Sequence, residues 1–229
     1  MAFVYKMDHF VAVNENGILE KTKKYFERYQ LDSDKVEIKK IYHPRKHSAV
    51  ESRISLYIIY KGNPFFTVTL HANPTTFFID DPDEQLILKI FNELYLKARY
   101  DELKQAITYL NQLGIEDPFR PKDDKLKFFY TNIGLNAVIN RELKEAFHHN
   151  KEHVEGLKKY IKNNIDKIKS VNSVIDLRGS KKGMSEEESL ILKNRLFQLL
   201  PTGTYDVEIG IDDLETGDVE GLYEQLTVE

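Results

Sequence analysis

The chain contains no cysteine. Thiolate nucleophiles, disulfide frameworks and Cys-ligated zinc are thereby excluded, and the cytoplasm is the expected location. It also lacks any run approaching the ~18 apolar residues that a membrane span needs, and the opening "MAFVYKMDHF" carries no basic start leading into a long apolar stretch. The expectation is a soluble chain with no targeting segment and no membrane partner. No Gly-x-Ser-x-Gly elbow and no dinucleotide glycine fingerprint occurs, so covalent serine chemistry and Rossmann-type binding have no support. Internal repeats and low-complexity tracts are absent too. One further absence is local. From Pro201 to the end there is no Lys or Arg against nine carboxylates: Asp206, Glu208, Asp212, Asp213, Glu215, Asp218, Glu220, Glu224 and Glu229.

What is present suffices for a globular core. At 229 residues, 41% apolar and 31% charged, the chain can fold without a covalent or metal staple. The net charge of −4 conceals a segregation, because residues 1–200 hold 28 acids against 33 bases and so carry +5. Charge divided in this way bears on partners or self-docking, not on fold.

Along the chain, residues 2–13 read as a strand. Residues 17–30 read as a helix with Ile18, Leu19, Tyr25, Phe26 and Tyr29 near helical spacing. From 35 to 80 the period switches to two in "KVEIKKIYH", "SRISLYIIYK", "PFFTVTLH" and "TTFFID", separated by turn residues, which predicts an antiparallel meander. A long helical pattern starts near Asp83, either one helix or two meeting at Arg99-Tyr100, with Gly114 as its stop. The Pro-rich "DPFRPKDD" is the expected junction between an N-terminal part, 1–116, and a C-terminal part, 117–229, which can equally form one continuous domain. A second long helix is expected over about 135–169, with Leu143, Phe147, Val154, Leu157 and Ile161 on one stripe. A basic loop, Arg178 to Lys182, and a helix opened by a Ser185–Glu188 capping box follow. The predicted class is α+β: an antiparallel β-meander, long flanking helices and a C-terminal acidic β-hairpin.

The acidic end is not tail-like. In "TYDVEIGID" the apolar Tyr205, Val207, Ile209 and Ile211 alternate with Asp206, Glu208, Gly210 and Asp212, the pattern of a half-buried strand rather than of a disordered segment. Asp206, Glu208, Asp212 and Asp213 therefore form the expected partner-binding acidic face, with Thr216-Gly217-Asp218 as the turn. The spacing does not match a calcium loop. Like charges in rows repel, and a basic surface relieves that repulsion.

Three other constellations carry chemistry. On a continuous helix with Leu143 at zero, Glu142, His149 and His153 fall at about 260°, 240° and 280°, close enough to share a metal, although the order His-Glu-x-x-His is missing. His148, at about 140°, points to solvent. On the other flank Lys151, Lys158, Lys162 and Lys169 fall at about 60–100° and form a basic stripe, which could track a phosphate backbone or receive the chain's own acidic end. Base-stacking aromatics are largely missing there, so nucleic acid is the weaker partner. Glu37-Ile38-Lys39 resembles the Glu-x-Lys element of metal-dependent nucleases, which also needs a second acid; Asp8 is the upstream donor. In "RGSKKGMSEEES" the Lys and Ser do not follow the second Gly as in a Walker loop, and three glutamates in the first helical turn repel phosphate.

No single motif fixes a function. The expectation is a non-catalytic interaction or regulatory protein, inhibitor- or immunity-like, needing no cofactor and binding a macromolecule with a basic surface. The alternative is a metal-dependent hydrolase or nuclease on a phosphate-bearing substrate.

Overall fold

The structure, a computed structural model, describes residues 2–42, 53–79, 83–129, 133, 135–171, 174–213 and 218–229, with side chains from residue 13 onward except those of 212, 213, 218 and 219. The architecture is α+β. The chain divides into two compact units, Met1–Ile90 with Ala146–Gly156, and Phe91–Glu145 with Leu157–Glu229.

The first unit opens with α1, a helix over Ala2–Glu27. This corrects the strand expected over 2–13. Phe3, Met7 and Phe10 recur at helical spacing and no Gly or Pro intervenes before Gly17. A helix then satisfies the backbone locally, with no neighbouring strand required. Ile18, Tyr25 and Phe26 are buried on its inner face, as their spacing implies. Phe26 stacks on Tyr60 at 5.8 Å and on Phe66 at 6.2 Å. Both rings belong to a three-stranded antiparallel sheet, β1 (Val36–Tyr42), β2 (Ile54–Tyr60) and β3 (Phe66–Ala72), in the order β1-β2-β3.

Period two explains this sheet's inner face. Ile54, Leu56, Ile58 and Tyr60 pair with Ala72, Leu70, Val68 and Phe66, and all eight are buried. Each large side chain contributes roughly 1.5–3 kcal/mol by leaving water. The fourth expected run reduces to one bridge, Ala72↔Ile79. Asn73 Oδ1 accepts from the Thr75 and Thr76 amides at 2.8 and 3.0 Å, and this local turn takes the donors a strand would have used.

The helix expected over 135–169 is interrupted. Helix α4 (Ala137–His148) ends in a short turn, His149–Lys151, before α5 (Val154–Ser170). Asn150, Lys151 and His153 have φ of 50°, 58° and 46°. The His153 amide donates to the Phe147 carbonyl at 2.9 Å and closes the end of α4. Gly156 is required at the restart, since a Cβ there would overlap the Ala146 carbonyl oxygen.

In the second unit, α2 (Glu84–Ala98), which begins in the first unit, and α3 (Tyr100–Gln112) meet at Arg99, and Gly114 adopts φ 67° just past α3. The second sheet has the order β4-β5-β6: β4 (Val174–Gly179), β5 (Gly203–Asp213) and β6 (Asp218–Val228). Strand β4 occupies part of the stretch expected as a basic loop, so Arg178 is a strand residue. It runs parallel to β5, with α6 (Glu186–Leu199) in the crossover that such a connection needs. Strands β5 and β6 pair antiparallel from Gly203↔Val228 to Asp213↔Asp218, and the expected turn at 216–217 lies outside the described residues. Ser185 caps α6 with the expected reciprocal bonds to Glu188. The Asp117–Asp124 segment lies within this unit, with Arg120 buried.

Candidate functional site

Strand alternation divides the second sheet into an apolar and a polar face. Ile175, Leu177, Tyr205, Val207, Ile209, Leu222 and Leu226 are buried on one side. The opposite side presents side chains in rungs. One rung runs Asp176–Asp206–Gln225 and the next Arg178–Glu208–Tyr223. Three carboxylates therefore meet one guanidinium on adjacent rungs. Arg178 Nη2 donates to Glu208 Oε1 at 3.0 Å and lies 3.8 Å from Asp176 Oδ2. Its Nε is buried without a hydrogen-bond partner. Asp176 is buried, whereas Asp206 and Glu208 are half-buried and accessible from this face.

The acidic residues expected from the sequence separate here. Asp206 and Glu208 share the polar face. Asp212 and Asp213 lie in β5, and their side chains are outside the described residues. Sequence reasoning missed Asp176 and the strand position of Arg178. The signal was the alternation in Ile175-Asp176-Leu177-Arg178.

The interruption at 149–153 removes the continuous helix on which Glu142, His149 and His153 were aligned. The Glu142 carboxylate accepts from Tyr160 Oη at 2.6 Å and from Lys167 Nζ at 2.7 Å, and these bonds hold its pKa below the usual carboxylate range. His149 is exposed, with Nε2 3.0 Å from Asn150 Nδ2. His153 is buried against Tyr29 and Phe147, with ring centroids 5.6 and 5.0 Å away. Burial lowers its pKa, and the neighbouring His148 lowers it further. His148 is half exposed and lies 2.8 Å from Asp83. Among the described residues no group of three or more His, Asp or Glu is placed to hold a metal ion.

Of the basic stripe, Lys158, Lys162 and Lys169 lie exposed on α5, and Lys151 lies in the preceding turn. Lys169 Nζ pairs with Glu102 at 2.5 Å. The salt bridges at Glu208 and Glu224 run to Arg178 and Lys193. Glu37 pairs with Lys39 and Lys61, which lowers its pKa, and Asp8 has no described side chain.

Two charged clusters that the sequence did not reveal lie in the second unit. Arg99, buried, donates to Glu102 at 2.9 Å beside Lys169, at the rim of a cleft of about 600 Å³. Deeper, Arg120 Nη2 donates to Glu93 Oε1 at 2.7 Å and also to the Phe129 carbonyl, while its Nε lies 3.9 Å from Asp117 Oδ2. Glu93 Oε2, Asp117 Oδ2 and Arg120 Nη1 are buried without hydrogen-bond partners. Desolvation outweighs the attraction of Arg120 and pushes Glu93 up to about 8 and Asp117 up to about 7.

The class defined by this architecture is an α+β protein with a charged sheet face. No protein-family model, curated protein or solved structure matches the chain. Among the described residues no helix is long and apolar enough to cross a membrane.

Proposed function

We propose that the protein is a non-catalytic interaction or regulatory protein, and that it docks a macromolecule with a basic surface on the polar face of β4-β5-β6. The observation that carries this reading is the pair of rungs holding Asp176, Asp206 and Glu208 against the single guanidinium of Arg178. Carboxylates side by side on one face repel one another, and a Lys- or Arg-bearing partner relieves that repulsion. Rim charges of this kind set association rate and salt dependence more than raw affinity.

Charge reversal tests the reading. Affinity capture from native lysate, with mass spectrometry, is run on the parent and on the Asp206→Lys/Glu208→Lys/Asp212→Lys variant at low and high salt. The parent captures a partner that is lost both in the variant and at high salt, while circular dichroism of the variant matches the parent. An unchanged set of captured proteins overturns the proposal. Adding zinc or manganese probes the hydrolase alternative: a rise in Tm that His149→Ala/His153→Ala removes would install it in place of the docking role.

A further inference from the structure

Strand β6 ends its sheet. Its inner edge pairs with β5 over all eleven residues without a register shift, and among the described residues no backbone hydrogen bond reaches its outer edge. Such an edge is a template for another strand, and proteins blunt it with Lys, Pro or a bulge. At the edge of the first sheet, β1 does so, with Lys39, Lys40 and a register shift between Ile38 and Lys40. By contrast, "DVEGLYEQLTV" has no Lys, no Pro and no bulge.

This edge also borders a groove. Between the first half of α6 and residues 220–224 of β6 lies a trough of about 600 Å³. Glu186, Leu190 and Lys193 line its helix side, and Glu220, Leu222 and Glu224 its strand side. Leu190 is 57% exposed although it is a leucine on a well-capped helix, and Tyr223 on the strand is 40% exposed. Three carboxylates face one ammonium, and that ammonium, Lys193, is held by Glu224 at 2.5 Å.

We infer that this groove receives an extended, basic peptide segment, which joins β6 as a fourth strand beneath α6. Strand addition supplies backbone hydrogen bonds, and alternate side chains supply the specificity. Glu220, Leu222 and Glu224 share one side of β6, so the added strand meets acid, leucine, acid at every second position. The complementary pattern is basic-x-apolar-x-basic, and it reads the same in either strand direction. A second copy of β6 is a poor occupant, because that strand carries acids and no base. The inference rests on the interaction reading in so far as both bring a basic partner to this sheet. The surfaces differ: one is the sheet's polar face, the other its edge.

The probe is the peptide Lys-Val-Leu-Val-Lys, C-amidated and carrying fluorescein on its N-terminal nitrogen, titrated against the full chain by fluorescence anisotropy. Binding is expected to weaken at least tenfold in Glu186→Lys/Glu220→Lys, and equally when both lysines of the peptide are replaced by Glu. In Asp206→Lys/Glu208→Lys it stays within twofold of the parent. N-methylation of one alternate set of peptide residues abolishes binding and methylation of the other set does not, because only every second amide of an added strand faces β6. Hydrogen exchange slows at residues 221–225 on binding. The inference is overturned if no binding is measured, if the two methylated peptides behave alike, or if Asp206→Lys/Glu208→Lys weakens binding as much as Glu186→Lys/Glu220→Lys. Those outcomes leave lysate capture through the polar face standing, whereas unchanged capture there leaves the edge standing.

Discussion

At Glu93, Asp117 and Arg120, burial and charge are in direct competition. Glu93 is 2% exposed and its carboxyl is held up to about 8, so the folded protein keeps a proton there that the unfolded chain releases. Asp117 acts in the same sense, held up to about 7. A raised folded pKa gives a contribution that is fully present below the ordinary carboxylate range and is lost as pH climbs through the folded value. Melting temperature is therefore expected to fall between pH 5 and pH 8. In Glu93→Gln, which keeps an acceptor for Arg120, the fall is shallower and stability at pH 8 rises by on the order of 1–3 kcal/mol, measured by urea unfolding. A decline as steep as the parent's would contradict the assignment. Removing the cation instead, in Arg120→Met, leaves two buried carboxyls uncompensated and costs about 3–5 kcal/mol. His153 has the opposite sign. Its pKa is lowered by burial, so its contribution is present above the ordinary His value and is lost as pH falls. His153→Phe, which keeps a ring against Tyr29 and Phe147, should lose less stability than the parent between pH 7 and pH 5 in thermal melts.

Caps and breaks decide the elements. Ser185 accepts from the Glu188 amide at 3.2 Å and Glu188 accepts from the Ser185 amide at 2.9 Å, so Ser185→Ala should cost about 1 kcal/mol in urea unfolding. This capping box was legible because its chemistry is contained within four residues. The break after α4 was not. Apolar spacing continues across it, and the positive φ angles at Asn150, Lys151 and His153 and the tight seat of Gly156 divide one stripe between two helices. Asn tolerates the left-handed region better than Ala does. Asn150→Gly is expected to leave stability unchanged, and Asn150→Ala to lower it by roughly 1 kcal/mol. Equal Tm values for the two variants would show that the turn is not held in this conformation. Strand β4 escaped for a related reason: Val174–Gly179 is six residues long, and its partners β5 and residues 128–129 are distant in sequence.

For the whole molecule, seven of the nine carboxylates from Pro201 onward, Asp206, Glu208, Asp212, Asp213, Asp218, Glu220 and Glu224, belong to strands that help build the second unit. Strand β5 is central, paired on both sides, and buries Tyr205, Val207 and Ile209. A chain truncated after Leu200 loses that strand and exposes Ile175 and Leu177. Aggregation is expected by light scattering, with loss of β signal in circular dichroism. A soluble, cooperatively folding truncation would mean that the acidic end is an accessory.

By itself the sequence determined the α+β class, the meander of β1 to β3, the half-buried character of β5 and the cap of α6. These follow from side-chain period and local hydrogen bonding, which act over a few residues. Only the tertiary structure decided that Arg178 stands between Asp176 and Glu208. The same holds for the burial of Glu93, Asp117 and Arg120 together and for the bare edge of β6 beside α6. Each of those depends on which distant segments become neighbours, and pairing, desolvation and charge placement between such segments leave no periodic trace in the chain.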